Sequence, residues 1–369
     1  MSSLAPLDAS KVQITKTTTP KAKLPKEELV FGQSFTDHML TIEWTAEKGW
    51  DTPQIKPYGT LNLDPSSCVF HYAFELFEGM KAYRDANGGI RLFRPDMNIA
   101  RMNASAERIC LPEFDSEELI KLLAEFVKTD SSFIPAGDGY SLYLRPTMIG
   151  TDAGLGVSSP GKALLFVIAS PVGPYYSTGF KAVRLEATSY ATRAWPGGCG
   201  NRKLGANYAP CIKPQRQAAS RGYQQNLWLF GEEDYITEVG TMNLFFVFNK
   251  DGKKELVTAP LDGTILEGVT RDSILALARS RLPTDEWTIS ERKLTMTEVA
   301  ERYHKGELVE AFGSGTAAVV SPIKEILYKG EDIMVPCVNG ESGNLTDQVW
   351  KWLGDIQYGR EEHEWSFKI

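Results

Sequence analysis

The sequence predicts an α+β protein (mixed α/β) built from two domains, and three observations support this class. The stretch "GYSLYLRPTMIG" at residues 139–150 alternates its side chains with the two-residue period of a strand. Asp115 and Glu118 form an Asp-x-x-Glu capping box ahead of a helical pattern of leucines. A cluster of Pro, Gly, Ser and Thr at 171–181 separates two groups of such elements.

The domain limits follow from these patterns. Residues 1–28 are rich in Lys, Thr, Pro and Ser and lack hydrophobic periodicity, which predicts a mobile N-terminal tail. Residues 29–172 then form a small α/β domain, 173–182 an interdomain linker, and 183–369 a large domain.

The individual elements alternate along both domains. Before the linker we expect a helix over 96–110, entered through Pro95, a helix after Asp115, and a buried strand in "ALLFVIASP". After it, the strand-like runs are "AVRLEATSY", "QNLWLF", "YITEVGTMNLFFVF" and "ELVTAP". Helices are expected at about 268–281, 295–304 and 345–356.

Composition excludes several classes of function. A net charge of −7 argues against a nucleic-acid partner, and the longest apolar runs are too short to span a membrane. Five cysteines without a CxxC pair indicate a reducing compartment, and the four histidines lack metal-ligand spacing. The tail has neither an apolar signal core nor arginine, so we expect a cytoplasmic protein rather than a mitochondrial one.

Lys203 is the first candidate for chemistry. It lies in "GNRKLGANYAP", where its neighbours are small and flexible, so a lysine in a surface turn is the simplest interpretation. Glu238 precedes the apolar run "LFFVF", where it is either a strand-end charge or a carboxylate held against a cationic nitrogen. The helix beginning near Gly268 and the Gly-rich segment 312–318 both offer backbone N–H groups to an anion.

Pyridoxal phosphate needs these parts. It takes an amine, an acid for its pyridine nitrogen and donors for its phosphate, to which Arg101 adds a cation. Composition and spacing alone do not bring the groups into one pocket.

Six ordered motifs carry a family resemblance. They are "ELFEGMKAY" (75–83), "RLFRPDMN" (91–98), "KLGANYAP" (203–210), "ITEVGTMN" (236–243), "DGTILEGVTRDSIL" (262–275) and "EAFGSGTAA" (310–318). The chain resembles the branched-chain-amino-acid aminotransferases, which are fold-type IV pyridoxal-phosphate enzymes. The stretches "LAPLDASK" and "FTDHMLTIEWTAEKGW" are similar to the fungal members.

The resemblance implies a role for each matching residue. Lys203, in the large domain, matches the Schiff-base lysine and general acid–base, and Glu238 matches the acid at the pyridine nitrogen. The cofactor-binding positions it implies are Arg101, Lys203, Tyr208, Glu238, Leu266, Val269, Thr270 and Thr316. The substrate-binding positions are Phe31, Tyr72, Phe77, Tyr143, Arg145, Val157, Tyr175, Thr241 and Ala317.

The implied reaction is reversible, ping-pong transamination of leucine, isoleucine and valine with 2-oxoglutarate, giving 2-keto acids and glutamate. Arg145 matches the group proposed to meet the distal carboxylate of glutamate. Residues near Tyr72 and Val157 match positions that cross a subunit interface, which implies a homodimer. Ala318 and Ser321 stand where the animal members have a CxxC, so the thiol switch proposed for those enzymes is expected to be absent.

Two alternatives remain open at this point. The same scaffold supports D-amino acid aminotransferases and aminodeoxychorismate lyases, which the stereochemistry of the accepted substrate separates from the first hypothesis. The other alternative is a binding or regulatory module that keeps the fold without activity. The presence of Lys203, Glu238, Tyr208 and Arg101 argues against it, because an inactive copy is free to lose them.

Overall fold

The computed structural model describes residues 4–174, 181–338 and 340–369. Its helices are α1 (Cys68–Tyr72), α2 (Pro95–Arg108), α3 (Ser116–Thr129), α4 (Ile212–Ser220), α5 (Val269–Arg281), α6 (Met296–His304) and α7 (Asn344–Gln357). Its strands are β1 (Gln13–Ile14), β2 (His38–Thr45), β3 (Gly49–Trp50), β4 (Gln54–Pro57), β5 (Glu75–Phe77), β6 (Met80–Arg84), β7 (Ile90–Phe93), β8 (Ser141–Gly150), β9 (Lys162–Val172), β10 (Val183–Thr188), β11 (Gln225–Phe230), β12 (Tyr235–Val239), β13 (Met242–Lys250), β14 (Lys253–Thr258), β15 (Trp287–Glu291), β16 (Leu308–Gly315), β17 (Val319–Tyr328), β18 (Glu331–Met334) and β19 (Ser366–Lys368). This mixture of sheets and helices confirms the predicted α+β class.

The chain divides into two compact units. Unit 1 comprises Met1–Tyr175, Arg202–Ala206 and Asp355–Ile369, and unit 2 comprises Tyr176–Asn201 and Asn207–Gly354. The division differs from the predicted domain limits in two segments. The segment containing Lys203 and residues 355–369 group with unit 1, although the sequence predicts both within the large domain 183–369. The backbone of the lysine segment bonds to elements of unit 1, and β19 pairs with β7.

Unit 1 is organised by a ten-stranded sheet. Its strands follow the order β1-β4-β2-β9-β8-β6-β7-β19, with β3 beside β2 and β5 beside β8. The pairs are antiparallel except β1 with β4. The helix α3 packs its apolar face, fully buried at Leu119, Leu122 and Phe126, within this unit. Each such side chain stabilises the fold by roughly 1.5–3 kcal/mol.

The N-terminal segment differs from the predicted mobile tail. Residues 4–28 are described and lie against unit 1, where Ala5 bridges Gly49 and β1 pairs with β4. Leu7 is buried among the residues of this unit. A few separate anchors hold the segment, and such anchors leave no periodic pattern that a sequence reading could recognise.

The capping box predicted for α3 forms only in part. Asp115 accepts hydrogen bonds from the backbone N–H groups of Glu117 at 2.8 Å and Glu118 at 3.2 Å. Glu118 does not complete the box, because its carboxylate accepts the backbone N–H of Ala9 at 2.6 Å. The first turn of α3 therefore also holds the N-terminal segment through this hydrogen bond.

Unit 2 contains a nine-stranded sheet in the order β12-β11-β10-β17-β16-β13-β14-β15, with β18 beside β17. Because β12 also pairs with β13, six of these strands close a ring. Apolar side chains fill the core of this unit, among them Leu227, Leu244, Phe246, Phe248, Val257 and Ile323. The run "YITEVGTMNLFFVF" forms β12 and β13, and its turn carries Thr241.

Candidate active site

The backbone around Lys203 is fixed within unit 1. Its carbonyl accepts the N–H of Phe77 at 3.1 Å, and its N–H donates to Ser105 Oγ on α2 at 3.0 Å. A β-carbon on Gly205 would overlap the carboxylate of Glu75. The small residues beside Lys203 therefore let this loop approach β5 closely.

The environment of the Lys203 amine favours its neutral form. Desolvation is the largest cause that lowers its pKa to about 8, and the positive charge of Arg101 acts in the same direction. The carboxylate of Glu78 opposes this shift. The amine also lies 5.0 Å from the centre of the Phe77 ring. A lysine in this state is far more nucleophilic near neutral pH than one on the surface.

Arg101 and Glu78 form a buried ion pair beside this lysine. Arg101 Nε donates to Glu78 Oε1 at 2.7 Å, and its Nη2 donates to Oε2 at 2.8 Å. Burial alone would raise the pKa of Glu78, but the adjacent guanidinium holds it below its ordinary value. The carboxylate is therefore charged at neutral pH and fixes the guanidinium through two bonds.

Aromatic side chains surround a second arginine in unit 1. Arg145 lies 4.7 Å from the ring centre of Phe77 and donates to the Tyr143 hydroxyl at 3.2 Å. Phe31 meets the ring of Tyr143 edge-on at 4.8 Å. This group combines apolar surface with a cation, so it can contact both aliphatic side chains and a carboxylate.

Glu238 lies in the core of unit 2. Its Oε1 accepts the backbone N–H of Leu266 at 3.1 Å, and Asn243 approaches the same oxygen at 3.4 Å. Arg193 Nη1 lies 2.8 Å from Oε2, and both side chains of this pair are almost fully buried. A buried guanidinium therefore compensates a buried carboxylate at this position.

The backbone segments predicted to bind an anion also belong to unit 2. Helix α5 begins at Val269 and Thr270. Its N-cap is Gly268, which has no side chain to cap the first N–H groups of the helix. Thr316 and Ala317 lie in the turn between β16 and β17. The turn between β12 and β13 is close by, since the Thr241 carbonyl lies 3.9 Å from a β-carbon built on Gly315.

Tyr208 opens a short helical turn after the lysine segment. Its carbonyl accepts the N–H of Cys211 at 3.1 Å. The charges of Arg193 and Glu238 both act on the pKa of the Cys211 thiol, which burial raises. Tyr208 therefore begins a turn that lies in unit 2, as the Arg193–Glu238 pair does.

The predicted residues thus form several separate groups. Lys203, Arg101, Phe77, Tyr143, Arg145 and Phe31 meet in unit 1, and Glu238, Leu266, Tyr208, Val269, Thr270, Thr241, Thr316 and Ala317 belong to unit 2. Tyr72 and Val157 are exposed on the surface of unit 1, where Tyr72 donates to the Leu155 carbonyl. Tyr175 falls outside the described residues.

The sequence reading missed Glu78, Arg193 and Asn243. Glu78 stands inside the quoted motif "ELFEGMKAY", and a charged residue between an aromatic and a glycine could have suggested burial. Arg193 belongs to no quoted motif, and its contact with Glu238 bridges 45 positions of sequence, which periodicity cannot reveal.

Comparison with known proteins agrees with this chemistry. Residues 75–326 match the family model "Amino-transferase class IV". The cytosolic branched-chain-amino-acid aminotransferase of Saccharomyces cerevisiae is 70% identical over 367 residues, covering 98% of both chains. The mitochondrial one from the same yeast is also 70% identical, covering 98% of this chain and 93% of its own length.

A solved structure shows the same fold. It is a branched-chain amino acid aminotransferase from T.th., complexed with N-(5′-phosphopyridoxyl)-L-glutamate, with a TM-score of 0.67 and 26% identity. The match covers 88% of this chain and 97% of the other. The chain therefore belongs to the class IV aminotransferases, and within them to the branched-chain-amino-acid aminotransferases.

Two further properties concern membranes and metals. No helix among the described residues is both long and apolar enough to cross a membrane. Within the same part of the chain, no group of three or more His, Cys, Asp or Glu side chains could hold a metal ion.

Proposed function

We propose that the protein transfers amino groups between branched-chain L-amino acids and 2-oxoglutarate, with pyridoxal 5′-phosphate as its cofactor. The observation that carries this proposal is the desolvated amine of Lys203 beside the Arg101–Glu78 pair. The yeast relatives named as branched-chain-amino-acid aminotransferases support the substrate class.

The side chains and backbone groups of this chain match the parts of this cofactor that a protein must bind. Lys203 supplies an amine of lowered pKa, and Glu238 supplies a carboxylate oriented by Leu266 and Arg193. In unit 1, Arg101 offers a cation to the phosphate. In unit 2, the N-terminus of α5 at Val269 and the turn at Thr316 offer backbone N–H groups to an anion of this kind. Tyr208 and Leu266 would contact the ring. The T.th. structure, named for a phosphopyridoxyl-glutamate complex, supports the assignment.

When bound, pyridoxal phosphate supplies an aldehyde that takes the amino group and a ring that withdraws electrons from the substrate α-carbon. Lys203 Nζ would take the proton from that α-carbon and deliver it to the carbon that carried the aldehyde oxygen. A pKa of about 8 leaves the amine able both to accept and to release a proton near neutral pH. Glu238 would supply the carboxylate that partners the ring nitrogen.

The substrate contacts follow from the aromatic group of unit 1. Phe31, Phe77 and Tyr143 offer apolar surface to an aliphatic side chain, worth roughly 25 cal/mol per Å² buried. Arg145 offers a cation to the distal carboxylate of glutamate. One methylene changes binding by only about 1 kcal/mol, so leucine, isoleucine and valine should be accepted similarly. Thr241 and Ala317 would meet the α-carboxylate.

The surface of unit 1 supports a homodimer. Tyr72 is 38% exposed and Val157 is 74% exposed, and the apolar residues Phe70 and Leu155 beside them are 59% and 67% exposed. We call these four residues the Val157 patch. Exposed apolar groups of this size commonly mark subunit interfaces. In a dimer, Tyr72 and Val157 of one subunit would complete the substrate site of the other.

The compartment is a separate proposal. The two yeast relatives have equal identity to this chain, and one is named cytosolic and the other mitochondrial. We propose a cytoplasmic location, as in the yeast relative that is named cytosolic. Fractionation of cells expressing the full chain tests it, and recovery in the mitochondrial fraction would contradict it.

One experiment tests the activity. The purified protein, loaded with pyridoxal phosphate, should absorb in the visible range and lose that absorbance with L-leucine but not with D-leucine. Loss with the D isomer alone would favour the D-amino acid aminotransferase. A protein that takes up no pyridoxal phosphate would contradict the enzyme assignment and favour a binding or regulatory module.

A further inference from the structure

Glu78 is the most deeply buried charged group of unit 1 near Lys203. Its exposed fraction is 0%, and the Arg101 side chain that it contacts is only 9% exposed. A carboxylate is rarely buried so completely unless hydrogen bonds and an opposite charge compensate for its lost hydration. Its partners therefore indicate what the group does.

Both oxygens of Glu78 are occupied. Oε1 takes the Nε hydrogen of Arg101, and Oε2 takes one from Nη2. Oε2 also accepts from Asn98 Nδ2 at 2.8 Å and from the Gly79 backbone N–H at 3.1 Å. Besides its contact with the arginine, the carboxylate is thus oriented by Asn98 of α2 and by the backbone between β5 and β6. It then acts as a rigid template for a planar guanidinium.

A single partner could not achieve the same result. The arginine side chain has several rotatable bonds, and its rotamers are nearly equal in energy when nothing fixes the end group. Two parallel bonds from Nε and Nη2 define both the position and the plane of the guanidinium of Arg101. A group held in this way meets an anion without first losing conformational freedom.

We propose that Glu78 is a positioning residue, whose buried carboxylate holds Arg101 in the orientation in which Arg101 binds the phosphate of the cofactor. This inference rests on the proposed function. The charge of Glu78 has a second effect that can be measured separately. It raises the pKa of the Lys203 amine, against desolvation and the charge of Arg101, which lower it.

The test compares two ligands that differ only in the phosphate. Dissociation constants for pyridoxal 5′-phosphate and for pyridoxal are measured by equilibrium dialysis with the apoprotein of wild type, Glu78→Gln, Arg101→Gln and the double variant. Glu78→Gln should weaken binding of pyridoxal 5′-phosphate by roughly tenfold. Pyridoxal should bind the variant as it binds wild type. The double variant should bind no more weakly than Arg101→Gln alone.

The second readout uses Lys203 without any cofactor. Its rate of carbamoylation by cyanate, followed against pH by mass spectrometry, reports the pKa of the amine. Glu78→Gln should move this pKa below about 8, because the group that raises it is removed. A role limited to supporting the fold would not shift the titration of one amine.

Asp85→Asn is the matched control. Asp85 is also a buried carboxylate of unit 1 paired with an arginine, since Arg91 Nε lies 2.9 Å from its Oδ2. It is not among the groups that contribute most to the pKa of the Lys203 amine. The control should leave the affinity for both ligands unchanged. If Glu78→Gln does not fold, Glu78→Asp keeps the charge but shortens the reach, and it should also weaken phosphate binding selectively.

The outcomes separate this inference from the function on which it rests. Unchanged affinity of a folded Glu78 variant for pyridoxal 5′-phosphate would overturn the positioning role alone. Equal losses for both ligands would also overturn it, because they indicate a general structural role. Failure of wild type to bind pyridoxal 5′-phosphate would overturn the proposed function as well.

Discussion

The hydroxyl of Tyr143 occupies the space that a β-carbon on Gly79 would need. Tyr143 is nearly buried, and Phe31 packs against its ring, so the ring has little room to move. The hydroxyl also accepts the hydrogen bond of Arg145. Glycine at position 79 is therefore a condition for the arrangement of the substrate-facing aromatic group.

Gly79→Ala should displace Tyr143 and weaken glutamate binding. The overlap should cost about 1–3 kcal/mol of folding free energy, because overpacked cores strain their neighbours. The Michaelis constant for glutamate should rise more than that for leucine, since Arg145 loses its partner. Steady-state kinetics with both substrates checks this, and an equal change for the two would contradict it.

Lys203→Ala should remove turnover and leave the fold intact. The loss should be at least about a thousandfold, because the amine serves as both acid and base. Transaminase assays and thermal unfolding measure the two effects, with the exposed Lys128→Ala as control. Activity within a factor of about ten of wild type would refute the assignment.

The sequence was informative where structure is local. The helix starts predicted near residues 96, 268, 295 and 345 lie within a residue of those observed, because periodicity and caps depend on neighbours in the chain. The resemblance likewise indicated the residues that now cluster around Lys203.

Non-local contacts could not be predicted. Lys203 bonds to Phe77 and Ser105, which lie 126 and 98 positions away along the chain, and no pattern within the lysine loop reveals these partners. The burial of Glu78 could not be predicted either, because charged side chains are rarely buried completely. The contacts of the N-terminal segment could not be predicted for a related reason, since isolated anchors such as Leu7 carry no period.

Lys81 should make the free energy of unfolding depend on pH between about 7 and 10.5. It lies opposite Tyr143 in the β6–β8 ladder, and desolvation lowers its pKa from 10.5 to about 7. Between these values the unfolded chain binds a proton that the folded chain does not, so the free energy of unfolding rises with pH.

Lys81→Met removes this titration. The variant should be more stable than wild type below about pH 7, and the difference should vanish towards about pH 10.5. Urea unfolding at several pH values measures it, with Lys128→Met as an exposed control. A stability difference that does not vary with pH would show that Lys81 is charged in both states.

Removing only one partner of the Arg193–Glu238 pair should destabilise the fold more than removing both. Arg193→Met should lower the free energy of unfolding by about 3–5 kcal/mol, because it leaves a buried carboxylate uncompensated. Adding Glu238→Gln to that variant should restore part of the loss. Chemical denaturation of the apoprotein gives the numbers. If the double variant is as unstable as the sum of the two single variants, the residues are not coupled.

Val157→Asp should dissociate the proposed dimer. A charge in an apolar interface is costly, whereas at a freely exposed position it has little effect on folding. Analytical ultracentrifugation should show a monomer with unchanged secondary structure and reduced transamination. Met334→Asp, at another exposed apolar residue, is the control. A dimer that persists in the Val157 variant would exclude the patch as the interface.

The division of the chain into units has a consequence for its synthesis. Unit 1 holds both the first residues and Asp355–Ile369, and its sheet is completed by β19 at Ser366–Lys368. Unit 2 ends at Gly354. Domains usually complete their folding in the order in which the ribosome releases them. Here the unit that is translated first also contains the last residues of the chain, so its sheet is complete only after β19 has been translated.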